Sequence, residues 1–568
     1  MNLLLNISLF ALGLIPFINP ARMAPDASFW GQMGAGWIFA IWMLLSAVSR
    51  LRMPNKQSAI RPGALATIFI ACCLSLVLII ALQLGLNNPL FPIAAGLTAV
   101  TILYAAAVAN EASQQNLTEN SLSCFAHGIS ASLLINGAYA VANRVGFETI
   151  WLRIVPSQPQ YRIIGSIGQT NHLASLCAIA LAAGIFLQRN RERPRYYPLL
   201  ISGCAGLVSA FTHSRTGFLT AAVVSAISIL SQSKSCRFKV SNPTAQSIGI
   251  FWIFWLVPVA LPLTAPIDQT AYETARHISA AVRIQHSLDA IAIGLNHPWL
   301  GANSGEFAAH RLTELNSPFR EPNATHAHNL YTHLFAEYGI LGLITAIAGS
   351  LAGIFIFHRG WKSSLIEDEQ HKFLFLWSII ITIFIHSQFE YPLWFLYFLL
   401  PFAWAIGQVS TIHLKQRISG DGPRSSPSIS IAAAILAFCG LTSVQKDFSR
   451  IQNIAQQLNA NARANINSRP SLQSAMRIAS LTAFPQYGFL LATRSFDHSS
   501  LMIQDKLDIA RLSAYALPSE ESISQYIIFL QAANRPDEAN QLLESISHRN
   551  PALYASVVEA VRLGSGPK

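Results

Sequence analysis

Along most of this chain, long unbroken apolar runs alternate with short polar breaks. The runs lie at 2–18, 29–49, 64–86, 90–109, 122–142, 166–188, 196–212, 216–230, 248–263, 331–357, 373–387, 391–410 and 428–444. A helix crosses a bilayer with about 20 apolar residues. The pattern therefore predicts an all-α, polytopic membrane protein with about thirteen transmembrane helices. The first run lacks a basic leader and a cleavage site, so it reads as a membrane helix rather than a removed signal. From residue 445 the rhythm changes. The segment 445–568 is polar, with apolar positions at helical spacing and breakers at Pro470, Pro485, Pro518, Pro536 and Pro551. Its stretch from Ala533 to Leu543 resembles half of a helical hairpin of the tetratricopeptide-repeat kind. The expected organisation is a membrane domain at 1–444, with a long polar loop at about 264–330, and a helical tail at 445–568.

Composition fits that picture. Of 568 residues, 52% are hydrophobic and 11% are charged, against about 25% charged in a soluble domain. The charge balance of 38 − 27 = +11 does not point to nucleic acid, because the basic residues sit in short loops between runs. They orient the chain instead. With the N-terminus inside, Arg50, Arg52, Lys56, Arg61, Arg189, Arg191, Arg193, Arg195, Lys234, Arg237, Lys239, Arg359, Lys362, Lys372, Lys415, Arg417 and Arg424 all face the cytoplasm. Every lysine before Lys446 is then inside. The outer face receives a loop at 143–165, a turn at His213-Ser214-Arg215, the loop at 264–330, a turn from His386 to Tyr391, and the tail. The seven cysteines, most within apolar runs, show no metal-like spacing and read as apolar fillers.

This orientation brings the unusual polar residues of separate runs to one membrane face. Gln169, Asn171 and His172 lie near the outer start of one run, and His213 and Arg215 lie in an outer turn. Arg283 and His286 lie in the long loop, which re-enters the membrane at Thr325-His326-Ala327-His328-Asn329. His386, Glu390 and Tyr391 close the set. Titratable groups at a membrane edge mark function by default. Plainer roles compete: Gln169 and Asn171 as interhelical hydrogen-bonders, Arg215 as a snorkelling anchor, and Arg283 as a solvated charge. His386 lies four residues before Glu390 and pairs with it if the helix continues. A zinc site at His326 and His328 is disfavoured, because no cysteine accompanies them and carboxylates are sparse nearby. The expectation is no metal and no cofactor.

Arginine binds phosphate oxygens through a rigid fork and keeps its charge at an interface. Before the tail, arginine is the only fixed cation of the outer loops. A histidine that is neutral near pH 7 removes a proton from a hydroxyl. Together these groups suit transfer from a lipid-linked phosphate or diphosphate donor.

At this point the motifs resemble a family. His326-Ala327-His328-Asn329 followed by Ala336-Glu337-Tyr338-Gly339, Ser214-Arg215-Thr216-Gly217, and Arg283 with His297-Pro298-Trp299-Leu300-Gly301-Ala302-Asn303 are similar to the signature of the O-antigen ligase/polymerase superfamily. Gly165-Ser166-Ile167-Gly168-Gln169-Thr170-Asn171-His172 and His386-Ser387-Gln388-Phe389-Glu390-Tyr391-Pro392 resemble its PglL-type bacterial protein O-oligosaccharyltransferases. Thr170 departs from the proline that the motif carries there. The resemblance implies a GT-C-like, metal-independent, inverting glycosyltransferase in the bacterial inner membrane, with its active site facing the periplasm. It would move a preassembled oligosaccharide from undecaprenyl diphosphate to serine or threonine of periplasmic proteins such as pilins. It further implies His328 as the base, with His326 the alternative. Arg215 and Arg283 would hold the diphosphate, with Gln169, Tyr391 and Glu390 in the site. His172, Asn171, Asn329 and His386 take second rank. An O-antigen ligase acting on lipid A core, a polymerase, and a non-enzymatic transporter of lipid-linked glycan stay open.

Overall fold

The computed structural model describes residues 2–19, 21, 26–52, 63–115, 117–144, 162–188, 196–232, 242–261, 269–318, 321–362, 367–414, 426–463, 482–494 and 502–564. Cys236 and most of the predicted inner basic loops, at 53–62, 189–195, 233–241 and 415–425, lie outside them. Among the described residues every regular element is helical.

Each apolar run lies on one helix. They are α1 (Asn2–Leu14), α2 (Phe29–Arg52), α3 (Ala64–Leu86), α4 (Pro92–Ser113), α5 (Glu119–Arg144), α6 (Thr170–Leu187), α7 (Tyr196–Thr212), α8 (Arg215–Gln232), α9 (Pro243–Ala260), α12 (Leu330–Lys362), α13 (Glu367–His386), α14 (Leu396–Leu414) and α15 (Pro427–Arg463). Eight of these, α2–α6, α9, α12 and α15, are long and apolar enough to cross a membrane. Helices α1, α7, α8 and α14 are apolar but shorter. The chain is a multi-pass membrane protein.

One expectation is corrected. The stretch 264–330 is not mainly loop, since it contains α10 (Gln269–Asn296) and α11 (Phe307–Thr313). Helix α10 buries Val282, His286, Asp289, Ala290 and Ile293, while Ile284, Leu288 and Leu295 are exposed. Its buried stripe has helical spacing but includes a histidine and an aspartate, so apolar periodicity alone does not reveal it.

The described chain divides into two compact units. One comprises 1–73, 103–274 and 348–441; the other comprises 74–102, 275–347 and 442–568. In the first unit α6 is central, with Leu173 through Ala183 almost wholly buried. Aromatic stacking of Phe125 on Trp404, with ring centroids 4.3 Å apart, and of Phe186 on Phe375 at 5.0 Å fills the space around it. Arg50 and Glu111 form a buried ion pair.

In the second unit the tail supplies α16 (Pro485–Arg494), α17 (Ile503–Ala516), α18 (Glu520–Ala532), α19 (Pro536–Arg549) and α20 (Pro551–Gly564). A capping box of Ser519 and Ser522 starts α18, which satisfies two otherwise orphaned N–H groups. Pro536 and Pro551 start the next two helices, where proline fits. Phe489, Leu507, Ile523, Ile527, Leu530, Ile546 and Val557 of the tail share one core with Phe91 and with Leu312 of α11.

Candidate active site

The predicted site residues gather in two clusters, one in each unit. In the first unit, three stretches far apart in sequence meet. Ser214 caps α8, its hydroxyl accepting from the Gly217 N–H at 3.0 Å and donating to Asn171 Oδ1 at 2.7 Å. The Asn171 amide donates to the Glu390 carboxylate at 2.8 Å, and the Gln169 amide reaches the same carboxylate at 3.4 Å. Glu390 is buried. This corrects the proposed His386–Glu390 pairing. Helix α13 ends at His386, the Glu390 N–H donates to the His386 carbonyl at 3.0 Å, and the carboxylate turns to the amides. His386 Nδ1 instead lies 2.9 Å from the Ser175 hydroxyl. His172 Nδ1 lies 2.9 Å from Tyr397 Oη, and the two imidazole rings are 5.3 Å apart. Tyr391 stacks on Phe395 at 5.8 Å. Arg215 opens α8 and is exposed. His213 precedes that cap in the left-handed region, at φ 50°.

The second unit holds the histidine loop. Ala327 is fully buried in a core with Ala290, Ile293, Ala302, Phe307, Leu315 and Ala336. Its carbonyl accepts from the Ser287 hydroxyl at 3.3 Å. This buried alanine fixes the two histidines that flank it. His326 packs on His333 with ring centroids 5.0 Å apart. Burial, then the neighbouring imidazoles of His333 and His328, hold the His326 pKa well below its ordinary value. His328 stacks on His286 at 5.4 Å and sits in the left-handed region at φ 57°. A non-glycine residue held there is uncommon, and such strain clusters at functional sites. Asn329 is the N-cap of α12, its Oδ1 accepting from the Tyr331 and Thr332 N–H groups at 3.1 and 3.2 Å. Arg283, half-buried, lies one helical turn before His286 on α10.

Sequence reasoning missed Glu321. Nitrogens of His286 and His328 and a Glu321 carboxylate oxygen lie within 4.8 Å of one another, so a carboxylate does stand beside the histidines. Two histidines and a carboxylate form a donor set that zinc accepts. A second such set, His297, His310 and Glu314, lies at the junction of α10 and α11. There the Glu314 carboxylate accepts from His297 Nε2 at 3.0 Å and from His310 Nδ1. Burial disfavours the His310 cation, but Glu306 and Glu314 outweigh it and raise its pKa. Burial opposes ionisation of Glu314, but His297 and His310 outweigh it and lower the pKa of the acid. Folding gains from the raised histidine below pH 6.5 and loses that gain as pH rises. It gains from the lowered acid above pH 4.5 and loses that gain as pH falls. Replacing His310 by Gln is therefore expected to lower thermal stability most between those values and progressively less as pH rises through the raised histidine pKa, as thermal unfolding at several pH values will measure.

The glycines of two motifs face each other. Gly301 and Gly339 have φ of 76° and 63°. A Cβ on Gly339 would meet the Trp299 carbonyl oxygen at 2.4 Å, and one on Gly301 would meet the Glu337 carbonyl carbon at 2.3 Å. The Ala302 N–H donates to the Ala336 carbonyl and the Ile340 N–H to the Pro298 carbonyl, each at 2.8 Å. The Gln83 amide donates to the Leu300 and Glu337 carbonyls, each at 2.6 Å. This clasp interrupts α12 and sets its entry angle below the histidine loop. Gly339→Ala is expected to destabilise by more than the roughly 1–2 kcal/mol of left-handed strain, since backbone also blocks the methyl. A thermal shift in detergent reads this.

Fold and clusters together define a polytopic helical membrane protein with a loop-borne histidine site. Residues 163–347 match the O-Antigen ligase family, and residues 374–562 match the family described as virulence factor membrane-bound polymerase, C-terminal. The ComP-specific O-oligosaccharyltransferase of Acinetobacter baylyi is 24% identical over 264 residues, 45% of this chain and 46% of that protein. The General O-oligosaccharyltransferase of the same organism is 22% identical over 427 residues, 69% of this chain and 71% of that protein. The first alignment thus spans less than half of that relative's length. By these matches the chain is similar to the O-antigen ligase superfamily and to its oligosaccharyltransferases.

Proposed function

We propose that the protein transfers a preassembled oligosaccharide en bloc from undecaprenyl diphosphate to serine or threonine hydroxyls of periplasmic proteins, pilins among them. The observation that carries this reading is the hydrogen-bonded cradle of Gln169, Asn171, Ser214 and Glu390. It joins the motifs by which the chain resembles protein-glycosylating enzymes. The acceptor oxygen attacks the anomeric carbon as the bond from that carbon to the diphosphate breaks. The proton passes to His328, undecaprenyl diphosphate leaves, and the configuration inverts. Arg215 and Arg283 bind the diphosphate charge. Glu321 steadies the imidazolium that forms, as a carboxylate does for a catalytic histidine. The periplasmic placement rests on the basic residues of the opposite loops.

In this reading the histidine–glutamate sets do acid–base and structural work rather than hold an ion. Transfer by purified protein is expected to be unchanged after dialysis against EDTA, and a loss restored by zinc would contradict that. The direct test uses purified protein, lipid-linked oligosaccharide, and a pilin or lipid A core acceptor. Glycosylated pilin is the expected product. Transfer to lipid A core alone would show the ligase instead.

A further inference from the structure

Beneath the histidine loop lies a buried charge network that no step above uses. Arg311, at 0% exposure, donates from Nε to Asp289 Oδ2 at 3.0 Å. Its Nη1 reaches the carbonyls of Glu321 at 3.3 Å and Ala324 at 3.4 Å. These carbonyls belong to the segment that runs directly into His326 and His328. Asp289 Oδ1 accepts from the Ser317 hydroxyl at 2.6 Å and from the Gln285 amide at 2.8 Å. A third member comes from the tail. Arg549, in the last turn of α19 and 6% exposed, donates to the carbonyls of Ser317 at 2.9 Å, Leu312 at 3.0 Å and Arg311. Two of those carbonyls lie in the last turn of α11, where a helix leaves its acceptors unpaired. A cation at that end also meets the negative pole of the helix.

We propose that Arg311 and Asp289, clamped by Arg549, position the histidine loop, so that the C-terminal tail is required for turnover at the site and not only for holding an acceptor. The proposal rests on the reading of His328 as the base. The charges argue for it. Two guanidinium groups and the Asp289 carboxylate are buried together, and five backbone carbonyls accept from the two guanidinium groups. A buried ionic group is a poor source of stability, and apolar packing of the same volume commonly serves as well or better. Its benefit is a unique geometry. Here Nη1 of Arg311 holds two carbonyls on the segment just before the base. The fork of Arg549 ties three carbonyls around Arg311, including that of Arg311 itself. The chain of contacts is continuous from α19 to Ala324 and never leaves this unit. Burial and then Arg311 lower the Arg549 pKa to about 10, which leaves it charged at neutral pH.

The test compares full-length Arg549→Ala, Arg549→Lys and wild type in detergent, by initial rates and by amide hydrogen exchange. Arg549→Ala is expected to lower kcat on the order of 10- to 100-fold, the scale of a small misplacement of a catalytic group, with the donor KM little changed. Exchange at 321–330 should rise while α17 and α18 keep their protection. Arg549→Lys, which replaces the fork with one ammonium, should fall between. Unchanged exchange at 321–330, or an unchanged kcat, in a folded Arg549→Ala protein overturns the proposal. If that variant does not fold, Arg549→Lys decides by the same readouts. If wild type transfers nothing to any acceptor, the functional reading fails, while the exchange result still decides whether the tail holds the loop.

Discussion

Replacing His328 by alanine is expected to lower oligosaccharide transfer by about 10²–10⁴-fold, the usual contribution of general-base catalysis. The donor KM should change little, because the proposed role is made at the acceptor proton. Position selects His328, and the lowered pKa of His326 counts against that residue. His328 is held at φ 57° beside His286 and Glu321. His326 is pressed against His333, and its pKa lies well below the ordinary histidine value. An imidazole so hard to protonate is a weak base by Brønsted behaviour. His326→Ala should therefore cost clearly less than His328→Ala. Initial rates of both variants, matched for folded protein by thermal unfolding, check this. Equal losses would return the choice between the two to open.

Much of the fold is legible in the sequence because lipid imposes length and apolarity on every crossing helix. All thirteen apolar runs coincide with helices, and the first-unit cluster joins residues that charge bias alone had assigned to one face. Helices α10 and α11 are less legible, because their buried stripes include His286, Asp289 and Arg311. Polar residues on an inner face erase the period that marks a helix. The Arg311–Asp289 pair is separated by 22 positions, and Arg549 reaches Leu312 across 237. No local pattern announces such partners. Asn329 is the opposite case: an Asn directly before an apolar run is a readable N-cap, and that is the role its side chain takes. Glu321 escapes notice because it lies in a polar stretch and its left-handed backbone, φ 46°, brings it to the histidines only in three dimensions.

The second large effect concerns the arginines. Arg215→Ala and Arg283→Ala are each expected to lower transfer by about 10²–10³-fold, the cost of removing one preorganised donor at developing charge. Arg215 projects from the first turn of α8, whose Ser214 cap is bonded to Asn171 and through it to Glu390. Arg283 lies on the helix that carries His286. They belong to different units of the fold, so the two variants are read independently. Lysine should restore only part of the activity, because an ammonium lacks the fork that matches two phosphate oxygens. Steady-state rates against donor concentration distinguish the cases. Full activity in Arg283→Lys would show that a point charge is enough there.

The central claim is that this chain glycosylates proteins. Mass spectrometry of periplasmic proteins from cells with the protein, without it, and with His328→Ala in its place tests this most directly. Peptides carrying one intact oligosaccharide on serine or threonine are expected in the first sample only. Periplasmic peptides identical in all three samples, with glycan lost from lipid A core when the protein is absent, would contradict it.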